Sequence, residues 1–370
     1  MILLLHNRYR HLGGEERAVR DTQWLVREHL GEDCEVLERD SAALGRARAA
    51  TALVRGGLEP EDVAAAVRHT GARVLHAHNT NPAFGWRALA AAREAGARVV
   101  LHLHNYRLVC AVGTCVNSRG QDCTRCQGRD TLPGIALRCR GGAAEAVAYG
   151  VALAAHQRRL VAQADALVVP SDAARHRLRA LRAPLGETPV HVVPHALRAF
   201  AAKSRAHEGE HALIASRLAP EKGITTAVAA AQAAGLPVVV AGAGPLEAQL
   251  RAAAPDATFT GWVDERRLAE LRARARVSVI ASQAAETFGL AALEAMADGV
   301  PVAATATGAL RELAPAAALA PVGDADALAR AIREVAGDPG RGAASIAAAR
   351  ARCAPAVVAP RLAAVYDALA

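Results

Sequence analysis

The sequence predicts an α/β protein built as two doubly wound domains facing a cleft. Three observations carry this. Short apolar runs alternate with Ala-rich helical stretches along almost the whole chain, the pattern of parallel strands covered by helices on both faces. Twelve such runs are too many for one open sheet, so two sheets are expected. The 370 residues fit two domains at roughly 100–200 residues each.

In the first domain, over 1–194, strands are expected at Met1–Leu5, Cys34–Leu37, Val74–Ala77, Val99–His102, Ala166–Val169 and Val190–Val193. Helices such as Glu15–Leu30, Pro82–Ala95 and Ala143–Ala164 lie between them. Residues 195–207 follow a strand, show no clear period and read as a linker. The second domain, 208–354, repeats the pattern with strands at His211–Ala215, Pro237–Ala241, Ala257–Thr260, Val277–Ala281, Pro301–Ala304 and Ala318–Pro321. Its helices are expected near Thr225–Ala234, Pro245–Ala253, Glu265–Ala275, Gly289–Asp298 and Asp326–Val335. A last helix over 355–370 has no strand to lead into. Both domains are thus Rossmann-like, with ligands expected where strand carboxyl ends meet the cleft.

Composition narrows the function. Hydrophobic residues make up 52% and charged residues 22%, which excludes long disorder. Alanine supplies 93 residues, so the core is built largely from Ala, Val and Leu. Of 44 basic residues only Lys203 and Lys222 are lysine, which makes a lysine more informative than an arginine. No apolar run is long enough to span a membrane, and the run after Met1 is too short for a signal-peptide core. A cytoplasmic protein is expected. Most of the net charge of +8 sits in residues 98–182, a basic region suited to peripheral contact with an anionic inner membrane face. Nucleic acid is a poor partner, because aromatics are only 3% and no recognition motif is present.

Two segments of the second domain carry chemistry. In Glu286-Thr287-Phe288-Gly289-Leu290, the main-chain amides of Phe288, Gly289 and Leu290 open a helix, which is a natural seat for phosphate. Glu294 lies about two turns after Glu286 on the same side. Two carboxylates beside a phosphate seat suit the hydroxyls of a sugar or ribose; the plain alternative is a capped helix with a solvated Glu. In Ser216-Arg217-Leu218-Ala219-Pro220-Glu221-Lys222-Gly223, Arg217 and Lys222 can converge on one diphosphate, or simply decorate a solvated turn. Gly242-Ala243-Gly244 lacks the third glycine of a dinucleotide fingerprint and reads as a tight turn.

In the first domain, Gly13 and Gly14 open a helix and can let a phosphate or sugar approach the backbone. His76, His78, His102 and His104 stand near strand carboxyl ends. Alternation puts His102 and His104 on one face, with His104 aimed into the cleft. It could hydrogen-bond a sugar hydroxyl or steady developing charge; paired histidines could also hold a metal. His76 and His102 read as structural histidines bonded to backbone. The stretch 105–142 breaks the βα rhythm with six Arg and five Cys. Cys123-x-x-Cys126, flanked by Cys110 and Cys139 at equal spacing, offers four thiolates for a structural zinc, with Cys115 as a substitute ligand. Free thiols are the competing reading; disulfides suit a reducing compartment poorly.

Together the segments ETFGLAALEAMADGVPV, ASRLAPEKGI, AGAGPLEAQL and FTGWVDERRLAELRARARVSVIAS resemble the retaining glycosyltransferases of family 4, with the GT-B fold. LLLHNRYRHLGGEERAV resembles that family's glycine loop and LHLHNYRLVC its His-bearing strand end, so the resemblance covers essentially the whole chain. A cysteine-bearing insertion after HNYR is similar to one carried by some members. The resemblance implies a nucleoside-diphosphate-sugar donor and a saccharide, lipid-linked or small-molecule acceptor. It implies that Arg217 and Lys222 contact the diphosphate, Glu294 the ribose, Glu286 the donor sugar, and the amides of Phe288, Gly289 and Leu290 the phosphate. Gly13 and Gly14 would lie against the donor, and His104 would touch the transferred sugar. No catalytic metal is implied, since cations and a helix dipole stabilise the leaving diphosphate. His195-Ala196 departs from the Asn-Gly often found there, and Thr307-Gly308-Ala309-Leu310-Arg311-Glu312 keeps only the Gly and Glu of that family's loop. The alternatives are a nucleotide-sugar 2-epimerase of the same fold and a non-catalytic zinc-stapled binding protein.

Overall fold

The computed structural model describes residues 1–9, 13–118 and 120–369. Arg10, His11 and Leu12 of the glycine loop, Arg119 of the cysteine insertion and the terminal Ala370 lie outside the described residues. The chain forms two compact units: residues 1–118, 123–196 and 355–370, and residues 119–122 with 197–354.

The first unit runs β1 (Ile2–Arg8), α1 (Gly14–His29), β2 (Cys34–Asp40), α2 (Arg46–Arg55), α3 (Pro60–Thr70), β3 (Val74–Asn79), α4 (Gly85–Glu94) and β4 (Arg98–His102). It continues through α5 (Leu132–Ala136), α6 (Ala143–Ala162), β5 (Ala166–Val169), α7 (Asp172–Ala180) and β6 (Val190–Val192). The second runs β7 (His211–Ala215), α8 (Ile224–Ala233), β8 (Val238–Ala241), α9 (Glu247–Ala253), β9 (Thr258–Gly261), α10 (Glu265–Ala273), β10 (Ala275–Ile280), α11 (Leu290–Ala297) and β11 (Val302–Thr305). Then come β12 (Ala318–Ala320), α12 (Ala325–Val335) and α13 (Pro339–Cys353). The last helix, α14 (Pro355–Asp367), belongs to the first unit.

Both sheets are parallel, with strand orders β2-β1-β3-β4-β5-β6 and β12-β11-β10-β7-β8-β9. Each order reverses once, between β1 and β3 in the first and between β7 and β10 in the second. In doubly wound sheets ligands bind outside the strand carboxyl ends at that reversal. The expected α/β architecture of two doubly wound sheets is therefore the one found.

Helices fix the sheets through small residues. Ala227, Ala230 and Ala231 of α8 and Ala329 and Ile332 of α12 pack on Ile214, Val240 and Val277 in one core layer. In the first unit Val358, Leu362, Val365 and Tyr366 of α14 join Val19, Leu25 and Val26 of α1 over Ile2 and Leu4. A fully buried Leu such as Leu362 contributes about 1.5–3 kcal/mol by leaving water, which pins a helix that no strand follows. The stretch after β4 holds a short helix, α5, and a bridge between Gln127 and Asp130 in place of a wholly irregular loop.

Candidate functional site

The reversal point of the second sheet gathers the residues singled out in the sequence. The loop after β7 carries Arg217 and Lys222; the loop after β10 carries Ser282 and Glu286. Lys222 Nζ donates to Glu286 Oε1 at 2.6 Å, and Ser282 Oγ donates to the same oxygen at 2.5 Å. Burial raises the Glu286 carboxyl, but Lys222, Ser282 and Arg217 outweigh burial and hold it below the ordinary value. Arg217 pairs with Glu221 and keeps an exposed guanidinium.

Local backbone explains the approach. Gly223 has φ of +59°, and a Cβ there would stand 2.1 Å from the Ala281 carbonyl oxygen at the end of β10. Only glycine lets the Lys222 turn lie against that strand end. Gly308 does the same on the far side of the loop: its φ is +50° and a Cβ would meet the Glu286 carbonyl oxygen at 2.3 Å. The Gly242–Gly244 turn receives Leu218 N–H on the Ala243 carbonyl at 3.0 Å, which steadies the Arg217 loop.

Gly289 caps α11 in the left-handed region, and Leu290 is the first helical residue. The Phe288 side chain is 2% exposed and packed in the core with Leu293 and Met296, so only its main chain can face a ligand. Glu294 is buried, and its Oε2 accepts from Arg272 Nη1 at 3.2 Å, while Arg272 Nε donates to Asp298 at 2.5 Å. Arg272 is a site neighbour that the sequence argument missed. Nothing in the sequence distinguishes it among the other arginines, and the pairing exists only once α10 packs on α11.

In the first unit, Gly13 precedes α1 and its N–H donates to Glu16 Oε2 at 2.8 Å; Gly14 is the first helical residue. The neighbouring Glu15 was not singled out. Its Oε1 accepts from Asn105 Nδ2 at 2.7 Å, and burial raises its carboxyl against the pull of Arg107 and Asn105. Arg107 also reaches the Tyr9 hydroxyl at 3.2 Å.

The four histidines meet, joined by His195. β4 ends at His102, where the expected strand ends, and the His102 and His104 rings stack at 4.0 Å. His78 Nδ1 and His104 Nε2 share a hydrogen bond of 2.8 Å. Burial, and the histidines' own mutual repulsion, keep His78, His102 and His104 well below the ordinary value, so His104 is neutral at pH 7. The expectation of backbone-bonded His76 and His102 is corrected. His76 Nδ1 bonds the Tyr366 hydroxyl at 2.7 Å, and neither ring nitrogen of His102 has a partner. The reason is position: both line a cavity with Leu25, Val358 and Leu362, side chains of α1 and α14, and the polar group within reach of His76 there is the Tyr366 hydroxyl.

Cys110, Cys123, Cys126 and Cys139 share one neighbourhood, where burial pushes the Cys126 thiol up to about 11, helped by the other three. Cys115 hydrogen-bonds Cys110, and its contact, with main-chain amides, outweighs burial and lowers the Cys110 thiol to about 6. Among the described residues, the ligand groups of three whose atoms close to within 4.8 Å are histidine groups, and the cysteines are not among them.

Fold and site together define a two-unit α/β protein whose second sheet ends in a cation–carboxylate arrangement fit for a phosphorylated polyol. Residues 198–352 match the family described as Glycosyl transferases group 1. The chain is 40% identical over 108 residues to a GDP-mannose-dependent alpha-(1-6)-phosphatidylinositol dimannoside mannosyltransferase of Mycobacterium tuberculosis, covering 28% of each chain. It is 31% identical over 198 residues to a GDP-mannose-dependent alpha-mannosyltransferase of Mycolicibacterium smegmatis, covering 49% of this chain and 52% of that one. Both matches span less than two thirds of those relatives' lengths. The structure resembles Anabaena Alr3699/HepE in complex with UDP and glucose, with a TM-score of 0.66 at 16% identity over 99% of both chains. That likeness shows the GT-B type of fold.

Proposed function

We propose that this protein is a retaining glycosyltransferase that moves a sugar from a nucleoside diphosphate sugar to an acceptor hydroxyl. The observation that carries the reading is the Lys222–Glu286 pair at the reversal point of the second sheet, with Arg217 on the same loop. Lys222 and Arg217 supply positive charge for a diphosphate, and Glu286 accepts hydrogen bonds from sugar hydroxyls. Glu294, oriented by Arg272, serves the ribose, and the Phe288–Leu290 main chain meets the phosphate. The match of residues 198–352 and the dependence of the two curated relatives on GDP-mannose support this reading and make GDP-mannose the first donor to test.

In the proposed step the acceptor oxygen bonds to the anomeric carbon from the face the diphosphate leaves. The bond from that carbon to the phosphate oxygen breaks, and the acceptor proton passes to the phosphate. Lys222 and Arg217 stabilise the charge that develops, so no catalytic metal is required. Gly13 and Gly14 approach the donor, and neutral His104 hydrogen-bonds the transferred sugar. The acceptor is a saccharide, a lipid-linked precursor or a small molecule. The basic stretch 98–182 suits an enzyme that visits an anionic membrane from the cytoplasm. Among the described residues no helix is long and apolar enough to cross a membrane. Cys110, Cys123, Cys126 and Cys139 would hold a structural zinc, with the lowered Cys110 thiol the readiest ligand.

The test is a thermal-shift panel of GDP, UDP, dTDP and ADP with their sugars, without added metal. A nucleotide at about 100 times its dissociation constant stabilises by roughly 2.7 kcal/mol. One nucleotide shifting the transition, followed by turnover of its sugar conjugate, is expected. A flat panel together with no donor hydrolysis overturns the reading.

A further inference from the structure

The interior of the first unit holds an imidazole cluster larger than any sugar-transfer step uses. We propose that His76, His78 and His102 form a binding site for one divalent transition ion of the zinc class. One ring nitrogen from each residue lies within 4.8 Å of the other two. All three side chains are buried.

The hydrogen bonds are arranged as ligands require. Nδ1 of His76 is held by the Tyr366 hydroxyl at 2.7 Å, and Nδ1 of His78 by His104 Nε2 at 2.8 Å. That leaves Nε2 of both, and both nitrogens of His102, without a partner. Buried polar atoms are almost always bonded, so four bare ring nitrogens on three adjacent side chains need an occupant. Metal-bound histidines characteristically have the other ring nitrogen fixed by a neighbour, as Tyr366 and His104 do here.

The chemistry selects the ion. Three imidazoles without a carboxylate suit zinc, cobalt, nickel or copper and disfavour magnesium and calcium. The ring centroids lie 4.5, 5.1 and 5.3 Å apart, with His76 stacked on the other two, so an ion must turn the rings until the nitrogens converge. His102 also lines two cavities, of about 80 and about 10 Å³, and the first gives room for a small fourth ligand such as water. The first also holds His78 and Asn79, the second His76 and Asp21. The three ligands belong to the first unit, and the site meets the sugar-transfer reading only through the His78–His104 hydrogen bond.

The full chain, stripped with a chelator, is titrated with Zn²⁺ by calorimetry and with Co²⁺ by absorption. A Cys123→Ser/Cys126→Ser variant removes binding at the cysteines. One ion per chain retained in that variant, with a cobalt spectrum lacking thiolate charge transfer, is the expected result. His102→Gln should weaken binding at least about 10-fold, and Tyr366→Phe about 10–100-fold through loss of the His76 support. If His102→Gln fails to fold by circular dichroism, His76→Gln and Tyr366→Phe read the same site. A cysteine variant that binds no ion, or folded histidine variants that bind as tightly as the parent, overturns the proposal.

Discussion

Lys222 Nζ stands 2.6 Å from Glu286 Oε1, joining two residues 64 positions apart at one end of one sheet. Lys222 leaves the loop after β7 and Glu286 the loop after β10, and those strands are neighbours across the reversal of strand order. A cation thus sits beside a partly buried carboxylate at the reversal point, the pair on which the proposed donor site rests.

Lys222→Ala removes that charge. Turnover should fall on the order of 10²–10³-fold, the loss seen when one donor to a developing anion is deleted. Steady-state kinetics with circular dichroism of the variant check it. A rise in KM with kcat intact would assign Lys222 to binding that substrate and transition state share equally.

Glu286 gives a pH signature. Its folded carboxyl titrates below the ordinary value of 4.5, because Lys222, Ser282 and Arg217 overcome burial. A depressed carboxyl contributes stability that is complete above the unfolded value and lost as pH falls through the folded one. The melting-point gap between wild type and Glu286→Gln should be constant above about pH 5.5 and should shrink below about pH 4.5. A gap that widens on acidification would contradict the pairing.

Arg272 should matter to stability more than any exposed arginine. Its removal leaves Glu294, 8% exposed, without its cation. Breaking a buried pair from one side costs about 3–5 kcal/mol, less here because Asp298 is partly hydrated. Urea unfolding of Arg272→Ala measures it, and Arg272→Met with Glu294→Gln should recover part of the loss.

Gly223→Ala places a methyl against the Ala281 carbonyl in a left-handed turn. The cost should exceed about 1 kcal/mol, and nucleotide affinity should fall with it, since the turn carries Lys222. Gly235→Ala, also left-handed but with no atom within 4 Å of the added Cβ, is the control: a smaller cost and unchanged affinity.

The strands were the legible part of the fold. β5 and β7 fall on the runs Ala166–Val169 and His211–Ala215 residue for residue, because β-branched and small apolar side chains bounded by turns leave little choice. Helices α2, α3, α5, α7 and α13 have no counterpart in the expectations. Of these, α2, α3 and α7 are short, and their ends are set by Gly56 and Gly71 or by a Ser171 cap. In the site, Arg217, Lys222, Glu286 and Glu294 could be named from spacing, whereas Arg272, Glu15 and Tyr366 could not. Each acts through a partner 22 or more residues away, and no local pattern records such a partner.

By itself the sequence determined the alternation of strand and helix, the division into two parallel sheets and the loops that carry charge, because these follow from hydrophobic period and turn chemistry. Only the tertiary structure decided which charges meet. Strand order brings Glu286 to Lys222, helix packing gives Glu294 its arginine, and α14 sets the Tyr366 hydroxyl on His76. Hydrogen bonds and ion pairs act over a few ångströms, so their partners exist only once distant segments have been packed side by side.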